Sequence, residues 1–442
     1  MANNIITHSY IVHLAIPIIL ANMAAPLLGL VDTAVIGHTG NASDLGAIAL
    51  GSLVFNFVYW AFGFLRMGTT GFISQAAGAG DYAEVRAAFG RALLLGGVIG
   101  LLLICAQYPL IHSALWLLDG SKNVEEQVKT YWDIRIWAAP ATLASYAIMG
   151  CLIGLGKTRQ LLWLQLFLNI TNLALDILFV AGFDWGVRGI ALGTLIAEWS
   201  SALLGLVLIF KNLRIQHEKF LKWSQLLNRS AIVKTLGTNA DIMWRTLFLL
   251  GGFAFFANQG ARFGDNTLAA NHILLQFISF SAFFLDGFAF ALESLVGKAK
   301  GACNRELFDR VIKVSTQIAA STAVLLMSII IVGGTTAIAG LTSVNGIQEE
   351  ATKFLPYAAI YVAVSFAAFQ LDGIFIGATH SRAMRNASFY ALLIFLTGSW
   401  ILIPLLGNHG LWTAFVIYVI ARAITLGIYL PELRRSIAPE ST

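Results

Sequence analysis

Apolar stretches long enough to cross about 30 Å of hydrocarbon follow one another along nearly the whole chain. In the first half they cover residues 9–36, 45–77, 86–112, 131–155, 161–183 and 188–210. In the second half they cover 232–257, 267–297, 307–334, 352–378, 387–406 and 409–431. The pattern reads as about twelve membrane-spanning helices. Between the two sets lies KNLRIQHEKFLKWSQLLNRSAIVK (211–234), the one long, strongly charged interior segment. It predicts a linker that joins an N-lobe over 1–210 to a C-lobe over 235–442.

The polar breaks carry an orientation. Lys and Arg resist translocation and mark cytoplasmic loops. Nineteen of them fall at the termini and in even-numbered loops, six of these in 211–234, against four (Lys122, Lys129, Arg188 and Arg262) in the odd-numbered loops. Both termini are therefore expected in the cytoplasm, with an even number of spans in the inner, cytoplasmic membrane. The formal charge of +5 is explained by this asymmetry. It needs no anionic partner, and with no basic run or interleaved aromatics it does not point to nucleic acid.

Composition agrees with a lipid-covered surface. The 442 residues are 58% hydrophobic and 12% charged, against roughly 25% charged in ordinary soluble domains. Residues 1–10 hold no basic run ahead of the first apolar stretch, and no small-residue cleavage site follows, so that span is expected to be retained. Cys105, Cys151 and Cys303 are widely separated and read as packing residues.

Laid on itself at an offset of 222 to 224, the chain shows an internal repeat. GCLIGLGKTR (150–159) falls over GIFIGATHSR (373–382), and GVRGIALGTLIAE (186–198) over GLWTAFVIYVIAR (410–422). The polar turn after the second span falls over the turn after the eighth. Six spans per half with the same starting side predict an all-α polytopic membrane protein. Its two six-helix lobes would be related by a pseudo-two-fold axis along the membrane normal, with a substrate cavity between or within them.

Ionisable groups inside a membrane are costly and mark function by default. Asp32 lies near the end of the first span, which also carries Pro17 and Pro26; each proline removes a backbone hydrogen bond and permits a bend. That combination is either a gate or a carboxylate capping the span at the interface. In the fifth span, Asn172 and Asp176 are four residues apart and share a face, with Asn169 one turn away. Thr194 in the sixth span adds a hydroxyl. Such a set can hold a proton or a hard cation through oxygen, or tie helices together. At an offset of 223, Asp32 meets Phe255 and Asp176 meets Ser399, so the acidic cluster belongs to the first half alone.

The second half offers Asp286, Glu293 and Asp372. Asp286 and Asp372 are secondary candidates for substrate or ion binding; equally, either can serve to satisfy Arg245 or a broken-helix backbone. Glu198 and Arg422 align across the repeat and read as structural or interfacial. GLGKT (154–158) is not a P-loop, because Cys151 stands where the first glycine is required. No HExxH or GxSxG occurs and the intramembrane histidines are few. No enzyme, metal centre or organic cofactor is expected, and no catalytic residue is assigned.

VDTAVIGHTG at the end of the first span, GCLIGLGKTR, LNITNLALD and LDGIFIGATHSR together resemble the multidrug and toxic compound extrusion family, in particular its DinF-like branch, over essentially the whole chain. The resemblance implies a twelve-span antiporter that expels cationic or amphipathic small molecules as protons or sodium ions enter; the protein is expected to act as a monomer in lipid. It also implies an N-lobe coupling site at Asp32, Asn172, Asp176 and Thr194, with the first span bending on protonation. The NorM-like branch has a glutamate in the seventh span. This chain has none there beyond Asp241 at the entrance, which argues against sodium coupling of that type, although Asp372 matches an acidic position in the tenth span. A flippase for a lipid-linked precursor is the alternative reading; the scattered Arg66, Arg135 and Arg245 do not form the basic cavity a pyrophosphate needs.

Overall fold

A computed structural model of the chain describes residues 6–39, 42–118, 122–213 and 223–437. The side chains at 25, 27–34, 36–39, 42–43, 117–118 and 223 are outside that description, and so is the middle of the charged linker. The described residues are helical, with no strand. Eleven helices are long and apolar enough to cross a membrane, and the described start of the first helix, His8–Ala24, is apolar as well.

The chain folds as two compact units. One spans Leu20–Thr235 and holds most of α1 (His8–Thr39), then α2 (Ala42–Ala61), α3 (Phe64–Gly78), α4 (Tyr82–Cys105), α5 (Gln107–Leu118), α6 (Lys122–Arg135), α7 (Ala139–Leu155), α8 (Thr158–Asp176), α9 (Gly186–Leu213) and α10 (Trp223–Leu226). The other unites Met1–Ile19 with Leu236–Thr442. It holds the start of α1 and nearly all of α11 (Arg229–Ala261), with α12 (Asp265–Gly301), α13 (Arg305–Leu341), α14 (Asn345–Gly377), α15 (Ser381–Leu406), α16 (Asn408–Gly427) and α17 (Leu430–Arg435).

The helices depart from the apolar stretches for local reasons. The fourth stretch is built from α6, a single 3₁₀ turn at Ile136–Ala138 and α7, which restarts with a proline in its first turn, where the missing N–H costs nothing. Helix α4 begins at Tyr82, ahead of the apolar run, because the Asp81 carboxylate accepts from the Glu84 N–H at 2.9 Å and caps it. Within the linker, the Gln225 carbonyl accepts from Arg91 at 3.0 Å, which ties α10 to α4. The three cysteines are free, Cys151 buried and the other two exposed.

Within each unit the backbone follows the internal repeat more closely than the side chains do. The chain turns through the left-handed region at Gly80, Gly156 and Asp184, and again at Cys303, Thr379 and Gly407; each pair is 223 residues apart. The first two pairs close the same helix ends. Lys157 N–H bonds the Leu152 carbonyl at 2.8 Å, and His380 N–H bonds the Phe375 carbonyl at 2.9 Å, in the bonding pattern of a helix C-terminal cap. In this setting GLGKT is a helix–turn–helix joint, with Gly156 as its left-handed cap.

Close packing repeats too. A Cβ on Gly150 would lie 2.5 Å from the Arg66 carbonyl oxygen, and one on Gly154 would lie 3.0 Å from that of Thr70. In the second unit, a Cβ on Gly373 would lie 2.6 Å from the Ala289 carbonyl oxygen, and one on Gly377 would press on that of Glu293. The four contacts share one offset, so α7 approaches α3 as α14 approaches α12. Small residues spaced by four let helix backbones meet in lipid, where no hydrophobic force draws them together. Gly150→Val and Gly373→Val should each lower the melting temperature in detergent by an amount equivalent to about 1–3 kcal/mol of overpacking. Gly237→Val, where a Cβ would meet nothing within 4 Å, should leave it unchanged. Equal melting of all three would show that the close approach is dispensable.

Candidate functional site

The polar residues of α8 and α9 converge inside the Leu20–Thr235 unit. Asn172, Asp176 and Thr194 are each fully buried. The Asn172 amide donates to the Thr194 hydroxyl at 3.2 Å, and that hydroxyl donates to the Ile190 carbonyl at 3.0 Å. The Asn172 side-chain oxygen has no hydrogen-bond partner among the described residues. A buried acceptor left unmade costs free energy, so this oxygen is available to a donor or a cation.

Two backbone features hold Asp176 in place, and sequence reading passed over both. Gly193, the residue before Thr194, leaves room for the carboxylate: a Cβ there would collide with Asp176 Oδ1. Directly after Asp176 the helix widens into a π-helical segment, Ile177–Gly182, in which the Phe183 N–H reaches back to the Leu178 carbonyl at 3.1 Å. Such π segments recur at functional sites. The run ALDILFV gives no hint of it.

The first span contributes through its backbone. Asn169 donates to the Ala24 carbonyl at 2.8 Å, two residues before Pro26. Helix α1 continues past both Pro17, which is buried, and Pro26, which is exposed. The Asp32 backbone lies in α1, and its side chain lies outside the described residues.

A second charged group of the same unit is one turn along α9 from Thr194. Glu198 is buried; its Oε2 accepts from the Thr142 hydroxyl and its Oε1 lies 3.7 Å from an Arg135 nitrogen. Arg135 donates to the Tyr131 hydroxyl at 2.5 Å.

The secondary candidates lie in the other unit. Asp372 takes both available guanidiniums on one oxygen, with Arg245 in direct contact and Arg422 at 2.9 Å. All three side chains are largely buried. Of the two acids that stood as partners for Arg245, Asp372 is one that meets it. Arg422, read as structural or interfacial, is interior. One turn before Arg245, Asp241 is held by Arg385 at 2.6 Å and by the Ser381 hydroxyl at 2.9 Å. Asp286 is half-buried on α12 and Glu293 is buried. Ser399, which the repeat sets against Asp176, is fully buried with no partner for its hydroxyl among the described residues.

Known proteins supply the family. The MatE family profile matches the chain twice, over residues 17–178 and 242–401, the same repeat seen in the turns and the glycine contacts. DNA damage-inducible protein F of Escherichia coli K12 is 36% identical over 94% of this chain and 90% of its own length. Multidrug resistance protein NorM of Vibrio vulnificus YJ016 is 24% identical over 97% of this chain and 96% of its own. The fold matches the Vibrio cholerae MATE transporter VcmN in its bent form, with a TM-score of 0.88 at 20% identity over 97% of each chain. It also matches an outward-facing multidrug resistance MATE family transporter of the MOP superfamily, with a TM-score of 0.85 at 18% identity over 97% and 96%. On its two profile matches and its DinF-like sequence, the chain belongs to the MATE family of polytopic membrane transporters, in the DinF-like branch.

Proposed function

We propose that this protein is a secondary active exporter that expels cationic or amphipathic small molecules across the inner membrane in exchange for protons. The observation that carries the reading is Asp176, wholly buried in one unit only, beside an Asn172 oxygen with a vacant acceptor position. A carboxyl held among apolar helices can change its charge reversibly by taking a proton, and a group that cycles a proton is what an antiporter needs. Asp32, Asn172, Asp176 and Thr194 form the coupling site of this reading, with no cofactor beyond the ion. Pro17 and Pro26 give α1 its hinge, and Asn169 grips the carbonyl beside that hinge.

The choice of proton over sodium rests on the other unit. Asp372 is committed to two guanidiniums, so a fixed cation already stands where a mobile one would bind. The same pairing disfavours a pyrophosphate-lipid flippase, because Arg245 and Arg422 face a carboxylate and Arg135 faces Glu198. With both termini cytoplasmic, protons enter from the outer side as substrate leaves.

Purified protein in liposomes, loaded with a cationic dye, tests this. A pH gradient, acid on the side to which dye moves, should drive its uphill movement at a fixed sodium concentration. A sodium gradient at fixed pH should not. Transport that follows sodium and ignores pH overturns the proton assignment, and no dye movement under either gradient overturns the exporter.

A further inference from the structure

We infer that Glu198 is a second proton-binding site of the Leu20–Thr235 unit, taking up and releasing a proton during the cycle rather than serving as a fixed ion pair. The inference rests on the proton-coupled reading above and extends it to a residue outside that site. Neutralising a buried carboxylate can strand the groups that pair with it, and a stranded buried charge or donor is costly. Here the Thr142 hydroxyl and Arg135 each keep another contact when Glu198 loses its charge. The Thr142 hydroxyl has a second acceptor, the Ala138 carbonyl at 3.1 Å. Arg135 keeps the Tyr131 hydroxyl at 2.5 Å and lies over the rings of Phe55 at 4.9 Å and Tyr131 at 5.4 Å. A guanidinium over aromatic faces retains favourable electrostatics without a carboxylate.

The distances make the same point. Arg135 stands 3.7 Å from Glu198, beyond hydrogen-bond range, while its bond to Tyr131 is short. Asp372 provides the contrast, gripped by two guanidiniums within bonding distance. Of these two buried carboxylates, Glu198 stands farther from its guanidinium than Asp372 does from either of its own.

Glu198 is also well placed. It follows Thr194 by four residues and so shares the α9 face that meets Asn172. From Glu198 the polar contacts continue through Arg135 to Tyr131 and on to the Ser52 hydroxyl at 3.2 Å. The titratable and charged groups around Glu198 come from several neighbours: Arg135 on α6 beside Tyr131, Tyr59 on α2, Tyr146 on α7 and Arg66 on α3 beside Tyr146, while Asp176 on α8 meets the same α9 helix at Gly193. The step is simple in its balance. The carboxylate gains one proton, the contact with Arg135 loosens, and release of that proton restores it.

Infrared difference spectra of the protein in lipid, taken on acidification, read the proton directly. The wild type should show a protonated-carboxyl C=O band that disappears in Glu198→Gln and shifts in Glu198→Asp. In liposomes, Glu198→Gln should lose at least about tenfold of pH-driven uphill export, while substrate-for-substrate exchange at equal pH stays within about twofold. A purely structural glutamate would lower both rates together or neither. An unchanged C=O band in Glu198→Gln, or uphill export at the wild-type rate, overturns the inference. If Glu198→Gln does not insert, the band of Glu198→Asp decides alone: a shift supports the site and no shift removes it. Wild-type protein without pH-driven export would defeat the proposed function and leave the band readable, so the two failures are distinguishable.

Discussion

Replacing Asp176 by asparagine should abolish export driven by a pH gradient, with a loss of at least about a hundredfold, while leaving the folded protein intact. The amide has the shape of the carboxyl and fits the space left by Gly193, but it cannot cycle a proton. Asp32→Asn should do the same for the same reason. Thr194→Ala should be milder, because it removes one 3.2 Å bond to Asn172 and no charge. Gly193→Ala supplies an independent check: its methyl group would drive into the Asp176 carboxylate, so export should fall although every titratable group remains. The measurement is initial uphill dye transport in liposomes, normalised to inserted protein. Near-normal transport by Asp176→Asn would take this residue out of the mechanism.

The second large effect concerns folding. Asp372→Ala leaves Arg245 and Arg422 buried with no shared counter-charge. Breaking a buried pair from one side costs about 3–5 kcal/mol, a large part of the margin of most proteins. The variant should give little monodisperse protein and a sharply lower melting temperature in detergent. Replacing all three residues with apolar side chains of similar volume should recover much of that loss, since removing a complete buried ion group is often neutral. The comparison is made by fluorescence-detected size exclusion after heating. If Asp372→Ala melts like the wild type, the triad is not a structural lock.

The helix count and the α8–α9 cluster could be read from residue patterns because both follow from rules one sequence carries. Lipid forces long apolar runs, and Asn172 and Asp176 four residues apart must share a face. The repeat was only faintly visible in residue identities, and the structure shows why. Each of the three paired left-handed positions needs a conformation that glycine adopts at no cost, yet of these pairs only Gly80 and Gly156 are glycine in the first copy and only Gly407 in the second. Backbone geometry recurs at Cys303, Thr379 and Asp184 while the residue that would announce it does not. The α8–α9 site was missed where it depends on neighbours distant in sequence. Gly193 is one of 41 glycines, and only the position of Asp176 gives it meaning. Arg135 looked scattered because its partners, Tyr131, Phe55 and Glu198, are gathered from α6, α2 and α9.

Helix α1 has a further consequence for how such a protein can be taken apart. Its first residues are fastened to the later half: the Ile6 carbonyl accepts from Arg310 at 3.1 Å, His8 bonds Gln317 at 3.1 Å, and Ile19 presses against Gly287. From Leu20 onward it belongs to the earlier half, where Ala24 is held by Asn169. One continuous helix thus has its start in one unit and its remainder in the other. A cut at the charged linker would leave the later piece without residues 1–19, which cluster with it, so a separable later module has to carry that segment as well.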